Sequence, residues 1–585
     1  MTINWKIIGI FLLIITPCVV MYAQVGDFGT VLYDDQQLMD YLDTHESSAI
    51  AFLWQGVTEN PEPCYYYAPF AWLSYLFTTY LAGNNIGAHH LVNLFFHICA
   101  ALVLFAVLVT ATGCPWRSFF VGVLFGIHPL NVETVVMLCG RYSPLSALFC
   151  LLSLAAYVRY ARTGHRARYW LCFLFYGMGI LTKLTASYFF IAFMLVDFWP
   201  LRRMSSTSSS GPEVSEAVAR SVRSPGNVSR VGLTVEKIPF MAAGLMAVFF
   251  SWYLFSNPIE KASFSPSFIL VRLLNLSVII SNFVFRTFFP IYRNIITDHL
   301  LLPAWQIVGG GLLLAGLTIL AFKTAKRHPY ILTGWLWFLC LIVPHLLIRS
   351  GDMVDRSTYL PVIGLLTAAV WGVGALVERY RIKKSVLSLA AAAMLLCLVF
   401  YGRYYTGYWK NFETVDQYVQ EHHLPLDNEI LWNFVNRLHE NGRYGKALAY
   451  FEEILKKDAE NAKYNYMAGV LSAENKAYGS ALAYYSKAIS LDPDFVPAYV
   501  NKAALLAGMG DREMAVRLYQ KALQLDPNLN QVHYNIAMLF SRAGETEAAI
   551  VHLRKALRIN PGDKEARQQL KKLVNKRKEQ FMAAP

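Results

Sequence analysis

The stretch 512–528, REMAVRLYQKALQLDPN, carries a skeleton that repeats on both sides of it. Ala515 recurs as Ala447, Ala481 and Ala549, Ala522 as Ala488 and Ala556, and Pro527 as Pro493 and Pro561, always 34 residues or a multiple of 34 apart. Small residues at fixed places let two helices approach closely, and a proline closes each unit. This is the tetratricopeptide period, two antiparallel helices per repeat. Gly442, Gly510 and Gly544 mark the turn inside three units, Lys476 stands there in the second, and Ala459 replaces the closing proline of the first. The spacing predicts four units at 427–460, 461–494, 495–528 and 529–562, then a polar capping helix and tail at 563–585.

N-terminal to the repeats the character changes. The chain has 585 residues, 55% hydrophobic and only 16% charged, with mean hydropathy +0.36, which places it outside the soluble globular class. Apolar runs near bilayer length lie at 6–22, 91–110, 118–136, 143–161, 169–183, 185–200, 238–256, 304–322, 330–348, 357–377 and 384–401. They predict an all-α membrane body at 1–402 with about eleven crossings, joined to the repeats by a connector at 403–426. The first run reads as an uncleaved anchor, because no small-x-small cleavage site follows it.

Lys and Arg set the expected orientation. Arg159, Arg162, Arg166 and Arg168 fill one loop, and Arg202, Arg203, Arg220, Arg223, Arg230 and Lys237 another. Lys323, Lys326 and Arg327, then Arg379, Arg381, Lys383 and Lys384, mark two more cytoplasmic loops. The segment 23–90 has no Lys or Arg and faces outward in this scheme. The apolar stretch 267–289 carries Arg272, Asn275, Asn282 and Arg286, and reads as an interfacial or re-entrant helix on the outer side. An odd number of crossings then puts the repeats outside the cytoplasm. The serine-rich part of 201–237 is a cytoplasmic linker.

The net charge of +13 is spread over those loops, which argues against nucleic acid as a partner. None of the nine cysteines shows CxxC spacing, so neither a disulfide framework nor a metal site is expected.

Several ionisable residues lie at membrane depth or at outer helix ends. Asp34 and Asp35 suit a general base for an acceptor hydroxyl, a cation holder, or a helix cap. His128 and Glu133 follow the third run, with Arg141 after them; they are functional, or a structural Glu133–Arg141 pair with His128 capping backbone. Lys183 tips a hairpin, where it either snorkels to headgroups or grips a lipid phosphate. Asp355-Arg356 and Tyr359 stand before a late crossing, with an arginine fork suited to phosphate. In the repeats Asn501, Tyr534 and Asn535 either pack the solenoid or line a groove for peptides.

As an ordered series these residues resemble a known family, the membrane-bound, tetratricopeptide-containing O-mannosyltransferase-like proteins of the glycosyltransferase class C superfamily. The resemblance is carried by Tyr33-Asp34-Asp35, Tyr65-Tyr-Tyr-Ala-Pro69, Asn93 with His97, His128-Pro-x-x-x-Glu133 and Gly140-Arg141. It continues through Thr182-Lys183, Asp197-Phe-Trp-Pro200 and Asp355-Arg356-x-x-Tyr359-Leu-Pro361. It implies transfer of a sugar, with inversion, from a polyprenyl or dolichyl phosphate to a hydroxyl on the non-cytoplasmic side. Asp34 or Asp35 would then be the base and Arg356 with Lys183 the phosphate binders. His128, Glu133, Arg141, Asp355 and Tyr359 would shape the pocket.

The partners so implied are membrane lipid, the lipid-linked sugar and a protein acceptor held by the repeats, with no cofactor beyond the donor. Two positions depart from the family pattern: Ala68 where relatives carry arginine and Ser143 where they carry an acid. That leaves a second reading, an inactive scaffold for envelope or secretory assemblies. The expected location is a bacterial inner membrane with periplasmic repeats, or alternatively the endoplasmic reticulum with lumenal ones.

Overall fold

Long apolar runs punctuated by Gly, Pro and basic loops leave helix as the structure that satisfies every backbone group in lipid. The computed structural model describes residues 5–31, 33–44, 68–203, 230–255, 266–290, 302–348, 355–421 and 428–582, and every regular element among them is helical. The chain divides into two compact units, Met1–Asp427 and Asn428–Pro585.

The first unit opens with α1 (Trp5–Tyr22), α2 (Tyr33–Thr44), α3 (Pro69–Ala82), α4 (Ile86–Thr112), α5 (Pro115–Ile127) and α6 (Val132–Val136). It continues with α7 (Tyr142–Thr163), α8 (Arg166–Ile180), α9 (Phe190–Phe198), α10 (Arg230–Val235), α11 (Ile238–Phe255) and α12 (Pro266–Phe288). Then come α13 (Ala304–Thr324), α14 (Pro329–Ile348), α15 (Val362–Tyr380), α16 (Lys384–Gly407) and α17 (Phe412–Glu421). Eight helices among the described residues are long and apolar enough to cross a membrane, or nine when the bent pair α5–α6 counts as one. The runs at 169–183 and 185–200 form α8 and, after a 3-10 turn, the nine-residue α9.

Among the described residues the stretch read as one outer loop, 23–90, contains helices α2 and α3 and the start of α4. The second had its signals in the sequence, Pro69 at the first helical position and Gly83 just past the end, with φ +60°. Helix α12 packs on its neighbours α13 and α14. Ile279, Ile280 and Phe283 are buried in one cluster with Ala321, Trp335, Phe338 and Ile342 of α13 and α14. Ser277 Oγ donates to the Ile307 carbonyl at 3.0 Å where the two helices touch.

A four-charge knot closes the end of α9. Asp197 accepts from the Tyr157 hydroxyl at 2.6 Å, from Arg203 at 3.1 Å and from Lys237, while Glu236 accepts from Arg203 and Lys237 at 2.8 Å each. Two acids and two bases cancel, so burial is tolerable only because each charge is paired and hydrogen-bonded. This gives Asp197-Phe-Trp-Pro200 a structural meaning: it pins α9 to α7 and α11.

The second unit consists of four helix pairs and a cap. The pairs are α18 (Asn428–Glu440) with α19 (Tyr444–Lys457), and α20 (Ala462–Glu474) with α21 (Tyr478–Leu491). They continue as α22 (Val496–Met509) with α23 (Arg512–Leu525), and α24 (Asn530–Arg542) with α25 (Thr546–Ile559), followed by the cap α26 (Lys564–Met582). Ala447, Ala481, Ala515 and Ala549 are fully buried, as close helix pairing requires. The intra-repeat turn needs a left-handed residue, with Gly442 at φ +68°, Gly510 at +92° and Gly544 at +79°. Lys476 adopts the same conformation at φ +63° against the Cβ clash that disfavours it.

Lys476→Gly relieves that clash and stabilises the repeats by about 1 kcal/mol, read as slower hydrogen exchange in 461–494 of the full chain; unchanged or faster exchange contradicts it. In the last repeat His533 Nδ1 and His552 Nδ1 share a hydrogen bond at 3.2 Å. Burial, then the proton its partner imidazole would carry and Lys555, pull His552 from 6.5 down to about 4. Burial and Lys555 also lower His533. Both rings stay neutral when folded and charge more readily when unfolded, so this contribution is complete above about pH 6.5 and fades as pH falls toward 4. Exchange in 530–559 should accelerate selectively over that window, and His552→Phe should flatten the response.

Candidate functional site

The site is organised by a break in a transmembrane run. Pro129 lacks the N–H that would continue α5 and holds His128 extended, so the helix stops at Ile127 and the axis turns by 48° into α6. His128 Nδ1 accepts the Leu130 N–H at 3.2 Å, and Nε2–H donates to the Thr287 carbonyl of α12 at 2.9 Å. Of the two structural alternatives raised for this region, His128 fulfils the backbone cap. A 3-10 turn at Leu138–Arg141 leads from α6 into α7, and residues 128–138 are all buried. Gly140 presses on the Thr134 carbonyl where a Cβ would overlap it.

Arg141 ends that turn and is completely buried. Its Nε donates to Asn93 Oδ1 at 2.7 Å, Nη1 to the Ser74 carbonyl and Thr78 Oγ1 at 3.1 Å each, and Nη2 to His89 Nδ1 at 3.2 Å and the His89 carbonyl at 2.9 Å. The guanidinium lies 4.1 Å from the Tyr75 ring centroid. Neutral acceptors from α3 and α4 and a π face hold it, so the proposed Glu133–Arg141 pair is replaced by another. Glu133 Oε1 instead lies 4.0 Å from Arg356 Nε.

Asp35 is buried too. Its Oδ1 accepts the Cys139 N–H at 3.0 Å and its Oδ2 the Val31 N–H at 3.4 Å, which ties α2 to the Leu138–Arg141 turn. Asp34 is the preceding residue of α2. Its side chain, like that of Asp355, lies outside the described residues. Asp35 and Arg356 therefore both attach to the short stretch Glu133–Cys139, seven residues long.

Residues 356–360 are held almost one by one. Arg356 faces Glu133, Ser357 Oγ meets His345 Nε2 at 2.8 Å, the Tyr359 hydroxyl donates to His97 Nδ1 at 2.6 Å, and the Leu360 carbonyl accepts from Trp337 Nε1 at 3.0 Å. His97 Nε2–H in turn donates to the Gly126 carbonyl at 2.8 Å, which leaves its Nδ1 free to accept. This strap borders an open cleft with Ser143, Ser146, Lys183, Thr185, His345 and Arg356 among its walls. Lys183 Nζ donates to Ser143 Oγ at 2.7 Å. Two cations far apart in sequence thus share one cleft beside the N-terminus of α7, an arrangement suited to an anion.

Sequence reading did not identify His345, Ser357 or His89. A histidine after Pro344 near the end of an apolar helix was the available signal for the first. Among the described residues no group of three or more His, Cys, Asp or Glu could hold a metal ion. In the repeats Asn501 donates to the Tyr466 hydroxyl at 3.0 Å and Asn535, one period later, to the Tyr519 hydroxyl at 3.2 Å. Tyr534 packs against the apolar cluster of Ala537, Ile550 and Leu553.

Family models described as Tetratricopeptide repeat match residues 434–494, 496–529 and 531–563. The chain is 24% identical over 494 residues to human protein O-mannosyl-transferase TMTC4, covering 74% of this chain and 64% of that one. It is 22% identical over 472 residues to human TMTC1, covering 72% and 51%, and 32% identical over 113 residues to human TMTC2, covering 19% and 14%. The matches span less than two thirds of each relative. The chain is thus similar to protein O-mannosyl-transferases over most of its own length.

Because Arg141 satisfies acceptors on two helices at once, Arg141→Gln should cost at least ~3 kcal/mol and lower the thermal midpoint of the detergent-solubilised protein. Asp34→Asn should leave that midpoint in place. Equal midpoints for Arg141→Gln and the parent would contradict the anchoring role.

Proposed function

We propose that this protein is a membrane glycosyltransferase that moves a sugar from a lipid-phosphate donor to a hydroxyl of a protein acceptor on the non-cytoplasmic face. The observation that carries this reading is the single cleft walled by Lys183 and Arg356, tied through Glu133 and Cys139 to the helix bearing Asp34. The activity for which the relatives are named, O-mannosyl transfer to protein, agrees with it.

In this mechanism the donor phosphate occupies the cleft between the ammonium and the guanidinium. Asp34 takes the proton of the acceptor hydroxyl, whose oxygen attacks the anomeric carbon from the face opposite the phosphate. The bond from that carbon to the phosphate oxygen breaks, its electron pair stays on the phosphate, and the leaving group gains one negative charge. Lys183 and Arg356 meet that charge where it develops, which is the largest single lever such a site has. Asp34 rather than Asp35 is assigned the base, because both Asp35 oxygens accept backbone N–H groups and Asp35 is buried. Asp35 positions α2, and Glu133 positions Arg356.

The test is mass analysis of exported or envelope proteins from cells lacking the chain and complemented with variants. Parent should restore hexose on specific peptides, while Asp34→Asn should lose 10²-fold or more of the transfer at unchanged membrane level, as expected for a general base, roughly 10²–10⁴-fold. Lys183→Gln and Arg356→Gln should each lose roughly 10- to 10³-fold. Full activity of Asp34→Asn, or unchanged glycosylation without the chain, would sink the reading.

A further inference from the structure

The charge of the second unit is concentrated at one end. Residues 428–563 carry sixteen Lys and Arg against fifteen Asp and Glu, whereas 564–585 carry seven against two. Helix α26 holds all of that excess. Its apolar side is already used: Ala566 and Leu573 are buried, with Leu570 and Val574 packed beside them, against Ala549, Ile550 and Leu553 of α25. Arg577 pairs with Glu547 at 3.1 Å and Arg567 donates to the Pro561 carbonyl.

Lys564, Lys571, Lys572, Lys576 and Lys578 remain exposed. Lys564, Lys571 and Lys578 recur every seven residues, so they form one row along the helix with steps of about 10.5 Å. A terminal repeat needs a polar outer face for solubility, but mixed charges serve that purpose as well, as 428–563 shows. A single-sign row does something more specific.

We propose that the exposed face of α26 is a docking surface for an anionic bilayer, binding phospholipid headgroups through Lys564, Lys571, Lys572 and Lys578. The row is straight, positively charged and, among the described residues, without a remaining apolar edge, so it rests on a charged plane and does not insert into it. The complementary partner is a flat array of monoanionic phosphates at lipid spacing. The sequence itself links the two, since the last span-length helix ends at Gly407 and the repeats begin at Asn428 of the same chain. Each lysine at such a surface contributes about 1 kcal/mol, or about five-fold in partitioning, at low salt.

The experiment is lysine acetylation footprinting of the full chain in lipid nanodiscs, read by mass spectrometry, with exposed Lys463 and Lys487 as internal controls. In nanodiscs containing about one third phosphatidylglycerol, Lys571, Lys572 and Lys578 should react about five-fold more slowly than in phosphatidylcholine alone. The control lysines should keep their rates, and high salt should abolish the difference. The triple substitution Lys564→Gln, Lys571→Gln, Lys572→Gln, whose positions all face away from α25, should bring Lys578 to one rate in both lipids. Equal rates in the two lipids for the parent would overturn the proposal. So would slowing of all lysines alike, or protection of Lys578 that survives the triple substitution.

Discussion

A fully buried guanidinium must find an acceptor for each N–H, and the way Arg141 does so governs the first unit. Asn93 and His89 come from α4, Ser74 and Thr78 from α3, and Tyr75 offers its ring. These contacts fix the Leu138–Arg141 turn relative to two helices. The turn then holds Asp35, and the preceding α6 holds Arg356 through Glu133. An interrupted helix in a bilayer exposes backbone groups that only buried protein can satisfy, and here the satisfied break also holds Asp35 at one end and Arg356 at the other. Residues that look catalytic by chemistry are in several cases the framework: Arg141, His128 and Asp35 have their polar atoms committed to neighbours.

The division between what the sequence disclosed and what it hid follows the range of the interactions. The repeats were legible because a 34-residue period, small residues and closing prolines are local facts, and even the exception at Lys476 was visible as a missing glycine. The apolar helices were legible for the same reason. Pairings across the fold were not. Glu133 has Arg141 eight residues away in sequence yet meets Arg356, because the turn at Gly140 directs the guanidinium toward α3 and α4. Helix α3 was absorbed into an outer loop because the absence of Lys and Arg dominated that reading, although Pro69 and Gly83 bracketed an apolar run. His345 and Ser357 lie on separate elements and become meaningful only where the cleft brings them together.

The two units solve different problems with the same secondary structure. The repeats bury alanines to bring helices close, and their asparagines bridge to tyrosines of adjacent helices, so each unit is supported by its neighbour. The membrane body uses polar side chains as its organisers, in the Asp197 knot and around Arg141, since apolar contacts alone discriminate weakly between helix pairings in lipid. Ser143 illustrates the interplay of framework and chemistry: as a hydroxyl it orients Lys183 in the cleft and adds no charge of its own.

The most direct measurement is a cryo-electron microscopy map of the full chain with a short polyprenyl phosphate bound. The account predicts phosphate density between Lys183 Nζ and the Arg356 guanidinium, with the lipid leaving the cleft and the carboxylate of Asp34 facing the space beside it. Density for the phosphate elsewhere in the protein, or a cleft that stays closed by apolar side chains when the lipid is bound, would contradict it.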